Sequence, residues 1–78
     1  MIIELLEKLE QLLNAGNEHF FAKLVNKARL SSEQKMFEFL ESNELWGGMG
    51  SIADEALMDY PELRREFALT LVKIGEYQ

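Results

Sequence analysis

Residues 2–13, IIELLEKLEQLL, carry the clearest periodicity in the chain. Ile2, Leu5, Leu6, Leu9, Leu12 and Leu13 fall at offsets of 0, 3, 4, 7, 10 and 11 residues, while Glu4, Glu7, Lys8, Glu10 and Gln11 take the other side. A 3.6-residue period puts all six aliphatic side chains on one stripe, so the segment reads as an amphipathic helix. Asn14-Ala15-Gly16-Asn17 follows as a stop, with Gly16 suited to the left-handed conformation and Asn17 to capping a second helix. So short a turn predicts that the first two helices pack antiparallel.

Working outward, the second helix aligns Phe21, Leu24, Val25 and Ala28, with Phe20 widening that face and Glu18, Lys23, Asn26 and Lys27 turned outward. Ser31-Ser32-Glu33-Gln34 resembles a capping box, Ser31 accepting from a free amide and Gln34 reaching back. A third helix then buries Met36, Phe39 and Leu40, with Phe37 at the margin, and ends at Ser42-Asn43. Ser51, three residues before Asp54, predicts another N-cap, and Ile52, Ala53, Ala56, Leu57 and Tyr60 form the inward face of the helix it opens. Pro61 suits a first helical turn, where its missing N–H is no loss. A last helix runs from there to Ile74 on Leu63, Phe67, Leu71 and Ile74, flanked by Ala68 and Val72, with Gly75 as its stop. No segment alternates with period two. The expectation is an all-α fold without a sheet, a compact bundle of four to five short helices forming a single domain over residues 1–78.

Composition bounds what such a bundle can do. The 78 residues are 47% hydrophobic and 28% charged, as in globular domains. A chain of this length buries roughly 60–65% of its unfolded surface, which leaves little depth for a substrate cavity. With no cysteine, disulfides and thiolate chemistry are excluded. The first 13 residues are interrupted by charge, unlike a secretory signal or a membrane span, and a cytoplasmic protein without a membrane partner is expected. The net charge of −6 is unevenly spread. Residues 31–62 hold Lys35 against Glu33, Glu38, Glu41, Glu44, Asp54, Glu55, Asp59 and Glu62, one base and eight acids, or −7. Such a stretch repels phosphate backbones and argues against nucleic acid as a partner. It either keeps a small domain soluble or steers a basic protein toward it.

Residues 44–51, Glu-Leu-Trp-Gly-Gly-Met-Gly-Ser, contain three of the five glycines and the only tryptophan. Glycine belongs where the backbone needs positive φ or where another group comes close. Trp46 is expected to anchor the loop. An anion nest ahead of a helix is disfavoured by Glu44, Asp54 and Glu55, and a phosphate loop would need Gly-Lys-Ser/Thr after a strand. Through Gly47, Gly48, Met49, Gly50, Ser51 and Asp54, with Ile52 at an apolar position, the loop resembles that of a family of small uncharacterised bacterial proteins. Ala53 departs from the polar residue, often Asn, found there before the acid. The resemblance covers about eight residues of a domain of unknown function and implies that the loop matters, without implying an activity.

Catalytic and metal constellations are thin. His19 with Ser51 would need a converging acid and an oxyanion site, whereas a histidine beside Glu18 at a helix start is ordinarily exposed. Glu55 and Asp59 share a helix face at four-residue spacing, with Asp54 near, but paired carboxylates on an acidic helix are usually solvated, and one histidine is too few for a typical zinc site. No enzyme activity, cofactor or metal is expected. The leading expectation is a small acidic protein-binding module, in one concrete form an antagonist or immunity-type factor for a basic protein. Its contact residues would be Glu41, Glu44, Leu45, Trp46, Gly47, Gly48, Met49, Gly50, Ser51, Asp54 and Glu55. The rival expectation is a non-catalytic homodimer built on spare apolar residues, among them Ile3, Phe20, Phe37, Leu45, Met49, Met58 and Leu69.

Overall fold

The computed structural model describes residues 2–47 and 50–76. Among these residues the order is α1 (Ile2–Ala15), α2 (His19–Arg29), α3 (Glu33–Leu40), α4 (Asn43–Trp46), α5 (Ile52–Glu55) and α6 (Pro61–Gly75). There is no strand among them, and the fold is an all-α bundle. Helix α1 buries Leu6, Leu9 and Leu13 completely, with Ile2, Leu5 and Leu12 half-buried around them, so the expected stripe is present with its centre on one line. That line packs against both α2 and α6. The end of α1 meets the start of α6, where Gly16 lies against Leu57, Tyr60 and Leu63, and Lys8 Nζ sits 3.5 Å from Glu66 Oε2 further along. The two helices therefore run antiparallel. Phe67, Leu71 and Ile74 of α6 complete one core with Val25, Met36, Leu40, Leu45, Ile52 and Leu57. The Cα radius of gyration, 11.2 Å, agrees with about 11.5 Å for a folded chain of this length.

A polar tie also joins α1 to α2. Glu10 accepts from Asn26 Nδ2 at 2.9 Å and from Arg29 Nε at 2.5 Å. The hydrogen bond to Glu10 raises the Arg29 pKa above its ordinary value; burial opposes it, and the charges of Glu10 and Glu7 each add a smaller push upward. Since the folded value is the higher one, this contribution is complete at any pH below the ordinary arginine range and is lost only as pH climbs through the strongly alkaline folded value.

Several local expectations shift by one residue. Asn17, not Gly16, takes the left-handed conformation, at φ 62°, a region that Asn tolerates better than most residues. Gly16 is needed for its missing side chain, since a Cβ there would fall inside Leu57. Ser32 rather than Ser31 caps α3, accepting from Lys35 N at 3.3 Å. The Ser31 hydroxyl instead donates to Lys27 O at 2.6 Å, and Gln34 faces Glu38. Phe20 does not widen the buried face of α2; it is 71% exposed and meets Phe21 edge-on. Ala68 and Val72 lie on the solvent side of α6, while Thr70 is buried with its hydroxyl donating to Glu66 O.

The largest departure lies after Ser51. The helix expected through Tyr60 stops at Glu55, Ala56 turns extended at ψ 141°, and Leu57 takes φ 62°. Helical bonds run from Glu55 N to Ser51 O and from Ala56 N to Ile52 O, and the next rung, Leu57 N to Ala53 O, is replaced. Its donor goes to Glu18 Oε2 at 3.0 Å and its acceptor to Arg64 Nη2 at 2.8 Å. Arg64 Nη1 also takes Ala56 O at 2.7 Å, and the guanidinium stacks on Phe67. Two charged side chains, Glu18 at the N-cap of α2 and Arg64 of α6, thus satisfy the backbone groups that a helix would have paired internally.

Candidate functional site

The segment from Glu41 to Glu55 begins at the C-terminus of α3, where helix carbonyls lack intrahelical partners. Ser42 Oγ donates to Phe39 O at 2.7 Å, and the Trp46 indole N–H donates to Leu40 O. Across the loop, Ser51 Oγ accepts from Asp54 N at 3.2 Å, the N-cap that the Ser-x-x-Asp spacing predicts. The glycines here answer to different needs. A Cβ on Gly47 would meet the Asn43 backbone, and Gly50 requires its positive φ of 87° although the space around it is open. Gly48 and Met49 lie outside the described residues.

The structure divides the expected contact residues. Glu41, Glu44, Gly47, Gly50, Asp54 and Glu55 are exposed. Leu45 is fully buried in the core and Ser51 is 1% exposed, so neither can touch a partner. Their assignment to the contact surface is corrected: the α4 turn carries Leu45 inward, and the Ser51 hydroxyl is held as a cap. Trp46 is half-buried with its N–H engaged, and its ring reaches toward Gly75 of α6. It fastens the loop to the bundle. Helices α4 and α5 pack together, which keeps Glu44, Asp54 and Glu55 in one region. Among the described residues, the carboxylates of Glu41, Glu44, Asp54 and Glu55 make no ion pair, the pairs present being Lys8–Glu66 and Arg29–Glu10.

Beside this region runs an open groove of about 430 Å³ that the sequence did not announce. Leu24, Ala28 and Phe39 line its apolar part, while Lys27 and Lys35 share its polar lining with Glu38 and Glu44. Leu24 and Phe39, expected on the inward faces of α2 and α3, are both half-buried and line the groove with their open edges. Of the expected contact residues that the structure describes, Glu44 alone lines this groove.

The other constellations take definite places. His19 Nδ1 lies 2.8 Å from Asn14 Oδ1 at the surface, a local contact across the α1–α2 turn. The early end of α5 removes the shared helix face expected for Glu55 and Asp59. Among the described residues, no group of three or more histidine and carboxylate side chains could hold a metal ion, and no helix is long and apolar enough to cross a membrane. Comparison of the chain with protein families, curated proteins and solved structures finds no match.

Proposed function

We propose that this chain is a small acidic protein-binding module, acting in a bacterial cytoplasm on a basic protein partner, with Glu41, Glu44, Asp54 and Glu55 as its charged contacts. The observation that carries the reading is that these four carboxylates are exposed and, among the described residues, without ion pairs. Uncompensated charge of one sign speeds encounter with an oppositely charged surface and suppresses wrong partners. An antagonist or immunity-type factor is the concrete form that uses fast encounter most directly. The Gly47–Ser51 resemblance supports the bacterial setting.

The test is affinity capture with the wild-type chain and with Glu41→Lys/Glu44→Lys/Glu55→Lys, which spares Asp54 in the first turn of α5. Basic proteins should be retained by the wild type in low salt and lost both in high salt and on the variant, whose circular dichroism stays unchanged. Equal recovery on both chains overturns the reading. Self-association remains a second reading on one observation, the outer stripe of α6, where Leu69 is 53% and Val72 64% exposed beside Ala68.

A further inference from the structure

The geometry points to a conformational latch: residues 52–59 can form one continuous helix, and Glu18 together with Arg64 holds them in the broken form by taking the donor and the acceptor of the first helical hydrogen bond beyond Ala56 N. Three observations converge. The inward positions Ile52, Ala53, Ala56 and Leu57 keep helical spacing straight across the break, and Ala, Leu and Met at 56–58 are good helix formers. Leu57 is held at φ 62°, a conformation that a non-glycine residue keeps only when its surroundings impose it. The first missing rung has its donor taken by Glu18, 39 residues from Leu57, and its acceptor by Arg64 of α6.

In the second state Leu57 N–H returns to Ala53 O, the backbone strain is released, and Leu57 leaves its place against Gly16. The extended helix ends at Asp59, because the residue before Pro61 disfavours the helical conformation. Exposed Met58 and Tyr60 move with it, so the latch changes which side chains this end of the molecule presents. The inference stands apart from the acidic-surface reading, since it uses neither the carboxylates of that surface nor a partner.

The test is backbone NMR on the full chain with Glu18→Ala and, separately, Arg64→Met. Release of the latch should move the 13Cα shifts of Ala56 to Asp59 toward helical values and bring sequential amide–amide contacts through Leu57. Glu18→Gln, which keeps an acceptor oxygen, should retain the wild-type pattern. Folded variants whose residues 56–59 keep wild-type shifts overturn the proposal. Should neither variant fold, relaxation dispersion on the wild-type chain decides: an exchanging minor state with helical 13Cα shifts at Ala56 to Asp59 supports the latch, and its absence overturns it.

Discussion

A methyl group at position 16 would have to share space with the Leu57 side chain, so Gly16→Ala must displace one of the two. Overpacking of this kind costs about 1–3 kcal/mol, and urea denaturation followed by circular dichroism should show a loss of that size. Shortening the obstacle should relieve it: Gly16→Ala/Leu57→Ala is expected to lose less than the two single variants summed. A Gly16→Ala chain as stable as wild type would mean that Leu57 yields freely. Composition alone could not tell which role Gly16 plays, because a glycine chosen for positive φ and one chosen for close approach look alike in a sequence. The distinction lies in Leu57, far along the chain. The same holds for Leu45, whose apolar character was plain but whose burial depends on a turn of four residues too short to show a period.

Capping offers a sharper test at the level of elements. Ser32 accepts from a free amide of α3, whereas Ser31 donates to a carbonyl of the preceding helix. Ser32→Ala should therefore cost about 1 kcal/mol and reduce helicity, and Ser31→Ala should cost clearly less; thermal melts in the opposite order would return the cap to Ser31. Long elements with strong periodicity, α1, α2, α3 and α6, could be read from residue spacing because each buries a stripe that its own sequence defines. Helix α5 could not. Its first turn was visible through Ser51 and Asp54, but its end is imposed by Glu18 and Arg64, and no pattern within residues 52–60 records a competitor from another helix.

For the molecule as a whole, the question is which surface meets other molecules. The −7 charge of residues 31–62 was evident from composition, and its acidic side chains at 41, 44, 54 and 55 are exposed. The groove between α2 and α3 was not foreseeable, since its lining comes from three segments, residues 24–31, 35–39 and 42–44, whose relative placement no local pattern records. Sedimentation over a range of concentrations should show one monomeric species of 9.0 kDa, unchanged by Leu69→Lys/Val72→Lys, because like-charged copies repel. A dimer that grows with concentration and vanishes in that variant would transfer the contact surface from the carboxylates to α6.

The antiparallel seating of α6 on α1 also bears on how the chain is made. Phe67, Leu71 and Ile74 fill the space beside Leu6, Leu9 and Leu13, so in a nascent polypeptide α2 covers only part of the leucine row and the rest stays open until α6 has emerged and docked. Exposed apolar surface on such intermediates invites aggregation and chaperones, and the docking of α6 is the step that closes this exposure.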